Sequence, residues 1–158
     1  MRIRFMLVKV SLIILIIFSG CGPDFNTDFE PPKPDASLTD VFPDEIGGMK
    51  GVITRKNLKS PRIGFSSTYG EGKIVISTIQ TPNKAAADEY FKSAIVPNFD
   101  IMKNHFRGNV NGKWTASGTD EKGRKWYGCV NNNWVFLLNG SDNKYFKMAI
   151  DAFNFVEE

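Results

Sequence analysis

Arg62-Ile63-Gly64-Phe65-Ser66-Ser67-Thr68-Tyr69-Gly70-Glu71-Gly72-Lys73-Ile74-Val75-Ile76-Ser77-Thr78-Ile79-Gln80 is the stretch that decides the fold. Two runs rich in β-branched and aromatic residues flank Gly70-Glu71-Gly72, where glycine supplies the positive φ that a tight loop needs, so the stretch reads as a β-hairpin. Pairing across a three-residue loop would put Ile63, Phe65, Tyr69, Val75 and Ile79 on one face and mostly Thr, Ser and Gly on the other. One side of this hairpin is therefore expected to be core.

Downstream, Thr81-Pro82-Asn83 opens a helix with a capping side chain and an early proline. Ala86, Tyr90 and Ala94, flanked by Ala87, Phe91 and Ile95, form an apolar stripe of helical period. Pro97 ends or bends that helix. Ile101, Met102, His105 and Phe106 keep helical spacing beyond it, which predicts a second short helix before Gly108.

Three further strands are expected at Lys113–Gly118, Arg124–Val130 and Trp134–Asn139, joined by the turn residues Asp120-Glu121-Lys122-Gly123 and Asn131-Asn132-Asn133. Ser141 or Asp142 then caps a last helix running to about Phe155. Tyr90-Phe91-Lys92-Ser93-Ala94-Ile95 is echoed by Tyr145-Phe146-Lys147-Met148-Ala149-Ile150, identical at five of six positions. The echo suggests two strand-strand-helix units forming a pseudo-repeat; two amphipathic helices converging on one sheet would explain it equally.

Short hairpins require antiparallel pairing, and a helix with one apolar stripe must lay it on a sheet. The expectation is an α+β fold. It has an antiparallel sheet of five or six strands, with two main helices on one face. A weaker strand is expected between Lys50 and Leu58, entered through a loop whose Phe42 and Ile46 dock on the core.

Upstream, the chain changes character. Arg2, Arg4 and Lys9 precede the apolar run Val10 to Phe18, the layout of a secretory signal. Nine helical residues span roughly 14 Å at about 1.5 Å each, against a hydrocarbon core about 30 Å thick. Extending the run through Met6 would bury Lys9 at about 3 kcal/mol. Ser19 and Gly20 directly before Cys21, followed by Gly22-Pro23-Asp24, resemble the lipobox of bacterial lipoproteins, with Phe18 where the family usually carries leucine.

That resemblance implies an alkylated Cys21 at a new, acylated amino terminus, with palmitate-type chains holding the protein on a membrane of the cell envelope. It implies outer-membrane sorting where such a membrane exists, since Gly22 rather than Asp follows the cysteine. The domains expected are then a signal peptide at 1–20, a lipidated, acidic, proline-rich tether at 21–40 and one globular domain at 41–158.

Charge follows the same division. The full chain has 20 basic and 17 acidic residues. Three of the basic residues lie in the signal, so its removal leaves a neutral protein and no case for nucleic acid. Within 41–158 the balance is positive. Lys50, Arg55, Lys56, Lys59 and Arg62 put five cations into 13 residues without an acid, a solvated surface or a shallow patch for anionic headgroups or wall polymer.

Candidate site residues come from two patterns. Trp114, Trp126, Tyr127 and Trp134 concentrate aromatic surface around one hairpin, apolar on both its faces. Either the sheet is covered twice there, or one side offers a binding surface for a protein partner, a cell-wall sugar or a small apolar ligand. Cys129 and His105 are the only thiol left after lipidation and the only histidine, the pair an envelope hydrolase or transferase would need.

Their contexts oppose that use, since His105 falls on an apolar helical stripe and Cys129 in mid-strand, where nothing lowers a thiol pKa. The paired acids Asp44-Glu45, Asp88-Glu89 and Asp120-Glu121 fall at turn or helix positions without metal-ligand spacing. No cofactor or metal is expected. The favoured function is a membrane-tethered, non-enzymatic binding module; the alternatives are the Cys129–His105 enzyme and a small inhibitor or immunity-type protein.

Overall fold

The structure is a computed structural model that describes residues 30–33 and 35–156. The expected signal peptide and the lipidation site Cys21 lie outside the described residues. Among those described, no helix is long and apolar enough to cross a membrane.

The elements follow in chain order. A small hairpin, β1 (Glu45–Ile46) and β2 (Met49–Lys50), precedes the main sheet strands β3 (Val52–Arg55), β4 (Ile63–Tyr69) and β5 (Ile74–Gln80). A helical segment comes next, made of α1 (Lys84–Tyr90), a π turn (Phe91–Ile95) and α2 (Val96–Asp100). Strands β6 (Lys103–Val110), β7 (Lys113–Thr119), β8 (Lys125–Asn131) and β9 (Trp134–Gly140) complete the sheet, and α3 (Asn143–Ala152) closes the chain. Every pairing is antiparallel, and the main sheet has seven strands in the order β3-β4-β5-β9-β8-β7-β6. The α+β class stands; the sheet is larger than the five or six strands expected.

The additional strand is β6, and it replaces the short helix expected from Ile101 to Phe106. Phe106, Gly108 and Val110 are partly buried while His105, Arg107 and Asn109 are exposed, a period of two that the i, i+4 coincidence of apolar residues masked. The decisive signal is Asn111-Gly112: both have positive φ, 50° and 77°, and Val110 pairs Lys113 across them. That is a two-residue type I′ hairpin.

Both central hairpins differ from expectation by one residue. Tyr69 pairs Ile74, so the first loop holds four residues, and Asn131 pairs Trp134, so the second holds two, with Asn132 at φ 53°. A change of one in loop length moves the pairing by one and swaps the face of every residue on one strand relative to the other. Hence Ile74 and Ile76, not Val75 and Ile79, share a face with Tyr69.

The two helical elements lie on opposite faces, not on one. Alternating residues Phe136, Leu138, Tyr127, Cys129, Ile74, Ile76 and Tyr69 pack with Ala149, Ile150 and Phe153 of α3. Their strand neighbours Val135, Val130, Ala116 and Ile79 pack with Ala87, Phe91, Ile95, Val96 and Phe99. Adjacent residues of a strand point to opposite sides, so the sheet is sandwiched between α3 and the α1–α2 segment.

This arrangement removes the symmetric pseudo-repeat. A twofold relating the antiparallel neighbours β5 and β9 would keep both helices on one face. The echoed residues also do different work: Phe91 is buried and Phe146 only partly, while Ala94 is exposed and Ala149 buried. Convergence on amphipathic helices explains the match.

Packing also begins before residue 41. Pro32 is buried, and Leu38 packs against the core beside Val41 and Phe42.

Candidate functional site

The α1–α2 segment covers its side of the sheet incompletely, and the reason is local. Asn83 caps α1 by accepting from the Ala86 N–H at 2.9 Å. Pro97 has no N–H and would clash with the carbonyl one turn earlier, so the helix widens into a π turn ahead of it. The Asn98 side-chain amide donates to the Ala94 carbonyl at 2.7 Å, satisfying a group the distorted turn leaves free. The segment stops at Asp100, where Arg107 of β6 meets the Asp100 carboxylate at 2.6 Å. Beyond that point the sheet is uncovered.

A cleft of about 360 Å³ opens there, lined by Ile95, Phe99, Ile101 and Met102 from the helix end and by Trp126 and Leu137 from β8 and β9, with Asn98 at its polar edge. Ile101 is 84% exposed, an unusual position for a large aliphatic side chain. Met102 lies against Gly118, where a Cβ would stand 2.8 Å from the Met102 Cβ, so the close approach depends on glycine.

Trp126 is held at the cleft by Asp120. Its indole Nε1–H donates to Asp120 Oδ2 at 3.0 Å, while Asp120 Oδ1 accepts from the Lys122 and Arg124 backbone N–H groups at 2.9 Å each. Burial alone would raise the Asp120 pKa. The indole, the two backbone donors and the Arg124 charge outweigh it and hold the carboxyl below its ordinary range.

Of the four aromatic residues singled out in the sequence, only Trp126 lines this cleft. Trp114 shares its face of the sheet at a partly buried position under the Lys92 ammonium, 4.5 Å from the ring centroid. Tyr127 and Trp134 point the other way into the core under α3, 0% and 1% exposed, so neither presents a surface. Double coverage, not a flat aromatic platform, explains the apolar residues on both sides of this hairpin.

The structure does not assemble the Cys129–His105 pair that the enzyme alternative needs. Cys129 is fully buried, with its thiol pushed up to about 12 mainly by burial. His105 is exposed on the edge strand β6, its Nδ1 3.0 Å from the Met102 carbonyl oxygen. Strand β7 separates β6 from β8, which places their backbones roughly 10 Å apart at about 4.8 Å per strand. The structure does not bring the two together. Among the described residues no group of three or more His, Cys, Asp or Glu side chains could hold a metal ion.

One feature had no signal in the reading of the aromatic residues. Lys56 reaches across β4, and its ammonium donates to Ser66 Oγ at 3.1 Å and Ser77 Oγ at 3.3 Å, with the two hydroxyls 2.8 Å apart. The serines read as the polar side of a hairpin; the lysine stem covers them.

No family model matches the chain, and no curated protein sequence matches it. A crystal structure described as a GTP binding regulator from Thermotoga maritima is similar in fold, with a TM-score of 0.52 at 11% identity, covering 82% of this chain and 95% of that one. At that identity the likeness shows the fold alone: a largely antiparallel sheet with helices.

Proposed function

We propose that the protein is a lipid-anchored domain of the bacterial cell envelope that binds a small apolar ligand in the cleft between α2 and the sheet, without catalysing a reaction. The observation that carries the binding role is the cleft itself. Its volume of about 360 Å³ falls within the range of roughly 300–1,000 Å³ typical of small-molecule sites, which are mostly apolar with a few polar groups. Trp126 is oriented at its wall by a carboxylate instead of packed away. The envelope location rests on the lipobox-like run ending at Cys21. Two or three acyl chains, at about 0.8 kcal/mol per buried methylene, would make the attachment effectively permanent.

The two halves of the proposal are tested separately. Mass spectrometry of the membrane-extracted protein should find an acylated amino-terminal cysteine, and an unmodified amino terminus removes the anchor. The neutral probe N-phenyl-1-naphthylamine should gain fluorescence on binding the full chain in nonionic detergent micelles, beyond the micelles alone. Met102→Glu should weaken that binding at least about tenfold by putting a charge into an apolar site. Equal binding by the variant removes the cleft as the site.

A further inference from the structure

The sequence concentrates five cations between Lys50 and Arg62, and the fold gathers three of them. Arg55, Lys56 and Arg62, with Asn57, Leu58 and Ile63, line a depression of about 260 Å³ where the chain leaves β3 and returns as β4. The ion pairs Lys84–Asp88 and Arg107–Asp100 lie elsewhere. Among the described residues no carboxylate pairs with Arg55, Lys56 or Arg62.

Two of the three cations are also partly withdrawn from water. The Lys56 ammonium is half-buried and spends two donors on the Ser66 and Ser77 hydroxyls, neutral groups that orient a charge without neutralising it. The Arg62 guanidinium lies over the Tyr90 ring, 4.7 Å from its centroid, and its buried Nε–H has no acceptor among the described residues. Withdrawing cations from water without a counter-ion is costly, and donors left over in such a place are available to an ordered water or a bound anion. A planar guanidinium beside an ammonium suits an oxyanion with several acceptor oxygens.

We infer that the pocket between β3 and β4 is a second binding site, separate from the apolar cleft, and that it takes a phosphate-type oxyanion through Lys56 and Arg62 with Arg55 at the rim. A phospholipid headgroup and a free phosphate share that chemistry. The site depends on neither the lipid anchor nor the cleft.

The test uses the full chain in nonionic detergent, with phosphate compared against chloride at equal ionic strength. At 20 mM phosphate, a dissociation constant of about 1 mM would raise the melting temperature by roughly 5 °C. Lys56→Gln and Arg62→Gln should each weaken binding at least about tenfold and abolish most of that rise.

Dibutyroylphosphatidylglycerol, a soluble diester, separates the sources. A rise with the diester assigns a lipid headgroup, and a rise with phosphate only assigns free phosphate; both outcomes support the site. No rise over chloride overturns it, as does an undiminished rise in both variants. Should Lys56→Gln fail to fold because Ser66 and Ser77 lose their cover, Arg62→Gln decides alone.

Discussion

The two faces of the sheet receive the same kind of partner and finish differently. Under α3 the central strands β5, β8 and β9 are densely covered. Phe136 sits at the centre of a ring cluster, 5.4 Å from Phe153, 5.6 Å from Phe155 and 6.1 Å from Trp134. Val41, Phe42 and Ile46 fill the remaining edge, and the Tyr69 hydroxyl donates to the Pro43 carbonyl at 2.7 Å. Under α1–α2 the supplementary contact is Leu58 of the β3–β4 connection, which does not reach the cleft lining. The helix is bent by its π turn and ends early, leaving Trp126 and Leu137 partly open. A single straight helix does not seal one side of seven strands; the residues around 41–46 complete that side, and their lack on the other leaves a cleft.

That contrast is tested most strongly at the pair Phe136 and Leu137, neighbours on β9 that face opposite ways. Phe136→Ala should cost about 4 kcal/mol, as expected for emptying a fully packed aromatic position, whereas Leu137→Ala should cost about 1 kcal/mol because its site is already partly open. Denaturant unfolding of both variants measures the difference. Equal losses would mean that both faces are sealed alike.

A second pair sharpens the same point with glycine. A Cβ at Gly140 would run into the Phe146 backbone in the first turn of α3, so Gly140→Ala must move a helix and should cost about 3 kcal/mol. At Gly128, on the cleft side, the added Cβ would meet the Leu137 Cδ2 at 2.8 Å and the Phe91 Cε2 at 3.2 Å. Both are ends of side chains, and the Leu137 end borders open space, so Gly128→Ala should cost about 1 kcal/mol. Thermal unfolding ranks the two; a reversed order would show that the α3 side yields more easily than the cleft side.

How much of this was legible follows from the kind of signal involved. Strand and helix identities came from local chemistry, as at Asn83 and Asp142, whose side chains cap helices in the structure as their positions suggested. Register did not, because a glycine-rich or asparagine-rich loop announces a turn without fixing whether it holds two, three or four residues. Each such error swaps a face, which is why the sequence points to Val75 and Ile79 on the Tyr69 side where the structure has Ile74 and Ile76.

The second helix before Gly108 had a clearer remedy, since Asn111-Gly112 is a strong two-residue hairpin signal and points to strands on both sides. The face chosen by each helix carries no mark in either helix, because an apolar stripe says that a sheet must be met and not from which side. Trp126 was legible as one of four clustered aromatic residues; its partition from Tyr127 and Trp134 required the register. The basic run was visible as charge, and its collection around one depression needed the β3–β4 pairing.

The smallest expected effect concerns the anchor of Trp126, and it tests whether the cleft side is built or merely unfinished. Asp120→Asn keeps an oxygen for the Lys122 and Arg124 backbone donors but turns an amide N–H toward the indole N–H, so the Trp126 bond is lost. The cost at pH 7 should be about 1 kcal/mol. Because the folded Asp120 carboxyl lies below its ordinary value of 3.8, its contribution is fully present above about pH 4. It is lost as pH falls through the lower folded value, where wild type and variant should converge. Urea unfolding at pH 7 and at successively lower pH measures the gap, with tryptophan fluorescence as the reporter. A gap unchanged by acid would show that the carboxylate does not hold the indole. A gap that closes would mark the Asp120–Trp126 bond as a maintained part of the cleft, something the sealed face under α3 has no need of.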